Sequence, residues 1–184
     1  MSGKMATSFR LAPMSPLILG LTLGLLALPP LFVVGGAVWR SVFSTPALLI
    51  AAIYAWVWVR FRPTRFVVRP GALEVIWPLK RRRIPRAEIS DVRLIDAPEL
   101  RREIGWGMRV GAGGLWGGFG WLWTRNRGIV QMYISRTDRF VWIERAGERP
   151  WLITPERPEE FVRALSPVGQ RPGPGARSRE AAGA

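Results

Sequence analysis

Two long apolar runs occupy the first third of the chain. Leu17 to Trp39 and Val42 to Val59 carry no charged residue, and only Arg40 and Ser41 lie between them. As a helix, at about 1.5 Å per residue, the first run would reach about 35 Å, more than a bilayer core of about 30 Å. Pro29 and Pro30 within it lack amide donors and predict a bend or a break, which membrane helices tolerate when neighbouring groups satisfy the freed carbonyls. Thr45-Pro46 reads as a cap with a first-turn proline, so the second helix is expected to begin there and to be a little short for a bilayer. Gly20 and Gly24 have GxxxG spacing, which fits either a close-packing face toward Ala51, Ala52 and Ala55 or the ordinary glycine content of such helices. Tyr54, Trp56, Trp58 and Phe61 crowd one end of the second run and Trp39 and Phe43 the other, as aromatic belts at headgroup level do.

After Phe61 the period shortens. Phe66 to Val68 is a β-branched and aromatic run, Pro70-Gly71 is a turn signal, and Ala72 to Trp77 alternates before Pro78, which predicts a strand, a turn and a strand. A third strand follows with Ile84, Ile89, Val92 and Leu94 as its apolar positions. Met108 to Val110, Ile129 to Ser135, Phe140 to Glu144 and Trp151 to Ile153 predict further strands. Thr154, Pro155 and Glu156 form a helix start, so Pro155 to Leu165 is expected to be a helix that buries Phe161, Val162 and Leu165.

Basic residues orient the apolar pair. Lys4 and Arg10 precede it, Arg60, Arg62, Arg65 and Arg69 follow it, and only Arg40 lies between, which places both termini on the cytoplasmic side of the cell (inner) membrane. The expected organisation is a flexible cytoplasmic lead over 1–15, two transmembrane helices over 16–61, a folded domain over 62–166 and a disordered tail over 167–184. A signal peptide is the competing reading of the basic start, but the apolar core exceeds the usual length of about 7 to 15 residues.

Charge and missing residue types narrow the chemistry. The formal net charge of +14 over 184 residues predicts an anionic partner. With two apolar spans present, that partner is membrane lipid first, and nucleic acid is not expected. Cys and His are absent, which removes thiol nucleophiles, disulfides, Cys/His metal sites and histidine-based triads. Glu88, Asp91, Asp96, Glu99 and Glu103 alternate with Arg86, Arg93, Arg101 and Arg102 and read as surface ion pairs. No catalytic residue, metal site or cofactor is expected.

The soluble part resembles the bacterial pleckstrin-homology-like domain family. The resemblance rests on Ile84-Pro85 through Ile89-Ser90-Asp91-Val92, and on Arg109 with Gly111, Gly113, Gly114, Leu115, Gly117 and Gly120. It also rests on Tyr133 before the turn Arg136-Thr137-Asp138-Arg139, and on Trp151 through Pro155 with Pro158, Glu160, Phe161 and Leu165. Gly118, where a bulky aromatic is more usual, and the added Trp121 and Trp123 depart from the pattern. The resemblance implies a membrane α-helical hairpin followed by a mainly-β, partly open barrel capped by a C-terminal helix. It further implies a non-catalytic role in which the domain binds protein or anionic lipid as a scaffold or accessory subunit, the alternative being a component of a lipid-modifying enzyme or transporter complex. A protein partner or a homo-oligomer fits the same family.

Two segments are candidate contact sites. The basic run Lys80, Arg81, Arg82 and Arg83, with Arg86, either meets anionic lipid at the inner leaflet or is a solvated loop. The glycine segment from Gly105 to Gly120 lacks a GxxxxGK[ST] pattern and is not a nucleotide loop. Its glycines either form a flexible loop that presents Trp116, Trp121 and Trp123 to lipid, or make bends of a curved sheet with the tryptophans inside.

Overall fold

A computed structural model describes residues 6–38 and 44–166. The expectations for Lys4, Trp39, Arg40, Phe43 and the tail over 167–184 lie outside the described residues. The folded part is mainly β. Its first sheet is antiparallel and runs in the order β1 (Thr7–Arg10), β2 (Arg65–Arg69), β3 (Ala72–Ile76), β4 (Arg81–Pro85). The second sheet contains β5 (Ile89–Ile95), β6 (Gly107–Gly113), β7 (Gly118–Thr124), β8 (Gly128–Ile134), β9 (Phe140–Arg145) and β10 (Trp151–Ile153), in the spatial order β5-β9-β10-β8-β7-β6. Among the described residues only β10 and β8 pair in parallel.

The described residues also form the helices α1 (Pro16–Leu26), α2 (Leu28–Val38), α3 (Ser44–Phe61), α4 (Ala97–Ile104) and α5 (Pro158–Leu165). The core lies between the sheets, where Phe9, Phe66, Leu73, Val75 and Ile84 meet Phe119, Tyr133, Val141, Ile143, Trp151 and Ile153. From α5, Phe161 enters this core edge-on to Phe9 and Phe66, at ring-centroid distances of 5.2 and 6.1 Å. On the opposite face of the second sheet, Leu100 and Ile104 of α4 cover Leu122, Val130, Met132, Trp142 and Leu152. Covering both faces is why Phe140 to Ile143 and Trp151 to Ile153 are buried without a break rather than alternately.

Several elements differ from the sequence-based expectation. The expected third strand is two, β4 with Ile84 and β5 with Ile89 and Val92, in different sheets; Leu94 is exposed, and Arg81 to Arg83 belong to β4 rather than to a loop. The lead is not wholly loose, because Thr7–Arg10 pairs with β2 in the register Thr7↔Val68 to Arg10↔Arg65 and buries Phe9. A four-residue strand with one large apolar side chain has too little pattern to announce itself. The segment read as surface ion pairs contains α4, capped by Asp96 Oδ1, which accepts the Glu99 amide at 2.7 Å, and ended by Gly105 at φ 65°. The closing helix starts at Pro158 rather than Pro155, because Thr154 has another task. Its buried hydroxyl accepts the Ser135 amide at 2.9 Å, while Ser135 Oγ donates to the Ala12 carbonyl at 2.6 Å and the Ala12 amide to the Thr154 carbonyl at 2.9 Å.

The apolar helices follow the proline logic. The first run breaks at Ala27, just before Pro29 and Pro30. Pro29 has no amide to offer the Leu25 carbonyl, and the Tyr54 hydroxyl of α3 donates to that oxygen at 2.8 Å instead. Gly20 and Gly24 face open space, so GxxxG does not bring helices together within this chain. Among the described residues one stretch, Pro16–Val34 with mean hydropathy 2.4, suffices by length and composition to cross a membrane, and Thr45–Phe61 is a shorter apolar helix.

Truncating the plug should cost much of the stability. Phe161→Ala empties a fully buried site shared by both sheets and α5, and should destabilise the fold by about 3 to 5 kcal/mol in urea unfolding followed by tryptophan fluorescence. A loss below about 1 kcal/mol would show that α5 is not seated as described.

Candidate anion-binding site

The end of α3 and the turn from β3 to β4 are built as one unit. Only Arg62, Pro63 and Thr64 separate α3 from β2, and the Thr64 amide and hydroxyl both donate to the Ile76 carbonyl, at 2.7 and 2.9 Å. Trp77 Nε1 donates to the Phe61 carbonyl at 3.1 Å, and the Trp77 amide to the Lys80 carbonyl at 2.8 Å. These bonds hold the turn Trp77-Pro78-Leu79-Lys80 against the base of the helix.

Cations and aromatic rings converge there. Lys80 Nζ lies 4.5 Å from the Trp77 ring centroid, Arg62 lies 4.3 Å above Trp58, and Arg82 lies 5.3 Å above Trp151. Trp77 packs edge-on to Tyr133, which leans on Trp151. Arg82 Nη1 donates to Gln131 Oε1 at 3.4 Å, and Gln131 Nε2 donates to the Tyr133 hydroxyl at 2.7 Å. The strand β4 at the edge of the first sheet is thereby joined to β8 and β10 of the second.

Charge in this cleft is not balanced. Among the described residues, no carboxylate forms an ion pair with Arg60, Arg62, Lys80, Arg81 or Arg82. Burial pushes the Lys80 ammonium below its ordinary value, and Arg60 and Arg82 push the same way. Burial also lowers Arg62. The carboxylates are engaged elsewhere: Glu88 with Arg145 at 2.6 Å, Glu103 with Arg93 at 3.1 Å and with Arg127, Asp138 with Arg136 at 2.6 Å, and Glu159 with Arg139. Such a cleft can neutralise an anion without first breaking an ion pair.

The basic run does not act as one patch. In β4, Arg82 and Ile84 oppose the buried Val75 and Leu73, whereas Arg81 and Arg83 oppose Ile76 and Glu74 and occupy the other face. Arg86 donates to the carbonyls of Ala164 and Ser166, so it caps α5.

The glycine segment is a hairpin of β6 and β7 that reaches α1. Gly111 and Gly120 face each other in the ladder at φ 139° and 129°, and a Cβ on either would lie 2.4 or 2.6 Å from a carbonyl oxygen of the opposite strand. At Gly117, φ 146°, a Cβ would lie 2.1 Å from the Ile134 carbonyl oxygen. Gly113 and Gly114 flank the tip, where the Thr22 hydroxyl of α1 accepts the Trp116 amide at 2.9 Å and faces the Gly114 carbonyl at 3.1 Å. Trp116 packs edge-on to Trp58 of α3 at 4.8 Å. Trp121 and Trp123 point out of the sheet and, with Val110, Ile129 and Arg149, line a groove of about 340 Å³. The glycines therefore make bends and close strand contacts, and the tryptophans they carry are not packed inside.

Comparison with known proteins places the domain. A family model described as Bacterial PH domain matches residues 64–168. No curated protein and no solved structure matches the chain.

Two substitutions test this geometry. Thr22→Val strands the Trp116 amide and should cost about 1 to 3 kcal/mol in urea unfolding of the full chain in detergent, with Thr22→Ser close to wild type. Equal stability of Thr22→Val and wild type would refute the clasp. Burial raises the Tyr133 phenol from 10.0 to about 12, against the opposing influence of Arg82, Gln131 and Arg60. The fold accepts the neutral phenol, so this contribution is intact below pH 10.0 and is lost between there and about 12, as the unfolded chain ionises first. Wild type should lose stability relative to Tyr133→Phe across that window, and parallel pH curves would contradict it.

Proposed function

The chain belongs to the bacterial PH domain family, and we propose on that premise that it is a non-catalytic module held at the inner face of a cell membrane, where its domain binds anionic lipid or a protein partner as a scaffold or accessory subunit. The observation that supports this most is the cluster of cations without carboxylates at the base of α3, where an apolar helix meets the domain. Basic residues just inside a membrane gain about 1 kcal/mol each from anionic lipid. The three-residue link and the Trp77 bond to Phe61 leave the domain little freedom to turn this face away.

In this reading α1 with α2 crosses outward and α3 returns. The pairing of β1 with β2 supports an even number of crossings, because strands that share hydrogen bonds lie on one side of a bilayer. The folded unit then includes β1 as well as residues 62–166, and its two sheets with α5 form the partly open, helix-capped barrel of the family. Thr45–Phe61, at about 26 Å, spans with modest thinning of the bilayer or help from flanking residues.

The test is made on the full chain in a bacterial host. It should remain in the membrane fraction after washing with alkaline carbonate, and reporters fused to either end should both report the cytoplasm. Release by carbonate, or reporters on opposite sides, would overturn the reading.

A further inference from the structure

We propose that the cleft between β4 and the strands β8 and β10 seats the phosphate of an anionic phospholipid headgroup, with Leu79 placed in the acyl region beside it. The inference rests on the membrane-held reading above and names the ligand of that same face. Its first support is charge. Arg60, Lys80 and Arg82 come from the end of α3, a turn and a strand, and lie close enough that Arg60 and Arg82 both act on the Lys80 ammonium, with no carboxylate among the described residues paired to any of them. A phosphate oxygen accepts from guanidinium and ammonium donors of this kind.

The second support is a buried donor without an acceptor. Trp151 is 0% exposed and its ring lies beneath Arg82, yet among the described residues its indole N–H has no hydrogen-bond partner. Buried N–H groups are almost always paired, so an orphan beside a cationic cleft points to an acceptor supplied from outside.

The third support separates a lipid from free phosphate. Leu79 is 81% exposed at the tip of the turn, next to Lys80, and that turn is tied to the last carbonyl of the apolar helix. Phosphate in solution gives no reason for a bare leucine beside its site. A lipid does, because its acyl chains begin where its phosphate ends.

The experiment uses the full chain in a neutral detergent, with native mass spectrometry counting bound molecules. The probes are short-chain phosphatidylglycerol, short-chain phosphatidylcholine and inorganic phosphate. Wild type should retain one phosphatidylglycerol and discriminate against phosphatidylcholine. Lys80→Gln with Arg82→Gln should weaken phosphatidylglycerol about thirty-fold, the loss of two headgroup-facing cations. Lys80→Gln alone, at an exposed turn, should weaken it about five-fold and serves if the double variant melts early. Arg139→Gln, whose partner is Glu159, should match wild type. Leu79→Ser should lower the affinity for phosphatidylglycerol but not for phosphate. Equal retention of both lipids, or wild-type binding by the lysine and arginine variants, would overturn the proposal. Phosphate binding as tight as phosphatidylglycerol, with no effect of Leu79→Ser, would overturn the lipid and leave a free-phosphate site. A chain that survives carbonate washing yet ignores lipid charge loses this cleft and keeps the anchor; one that is washed off yet discriminates between lipids loses the anchor alone.

Discussion

Thr7–Arg10 and Arg65–Arg69 pair residue for residue, so everything from Leu11 to Thr64 is a loop whose two ends are fixed side by side. Closing a loop of that length costs entropy that grows only slowly with its size, and the contacts at its mouth must offset it. They are of two kinds: Phe9 packs into the core against Phe161, and Ala12 joins Ser135 and Thr154 in a buried polar knot. The apolar helices therefore do not trail from the domain; they leave it and come back to it. The Tyr54 bond to Leu25 ties the outgoing and returning arms to each other, and the Thr22 contact with Gly114 and Trp116 ties the outgoing arm to the hairpin of β6 and β7.

With the base of the helices fixed, charge separates. On β5, β9 and the segments around α4 and α5, arginines meet carboxylates at short range: Arg145 with Glu88, Arg93 with Glu103, Arg157 with Glu160. At the base of α3 they meet aromatic faces and each other. Like charges so placed are unfavourable unless solvent, salt or an anion screens them; the Lys80 ammonium is lowered first by burial and then by Arg60 and Arg82. The fold tolerates it because Trp77 and Trp151 lie under the cations and Gln131 gives Arg82 an acceptor. The domain is thus weakly paired on one face and well paired elsewhere.

Much of this order was legible in the chain. The strands around Phe66, Ala72, Ile129, Phe140 and Trp151 follow from alternation and turn residues, and the closing helix from its apolar spacing. What the pattern hid depends on partners distant in sequence. Leu100 and Ile104, four apart among charged residues, look like surface until the sheet they cover is known; their Asp96 cap was the available signal. The basic run looks uniform in one dimension, but the two-residue period of β4 sends Arg82 to the cleft and Arg81 and Arg83 to the other face, and Arg86 has left the strand for the end of α5. Thr154 looked like a cap because nothing local shows that the Ser135 amide needs its oxygen.

The glycine segment suggested two alternatives, lipid-facing aromatics or bends of a curved sheet, and the geometry joins them. Where Gly111 meets Gly120 the strands approach so closely that a methyl group on either would strike a carbonyl, and both residues hold a positive φ that favours glycine. The regular ladder carries the tip to α1 and α3, where it meets Thr22 and where Trp116 packs on Trp58. Toward the base of the hairpin, Leu122 lies on the face that α4 covers, so the two-residue period puts Trp121 and Trp123 on the face of Phe119, beyond the cover of the first sheet. Glycine here sets where the tryptophans lie. A side chain at Gly111, Gly117 or Gly120 would force the paired strands apart next to the tip that meets α1.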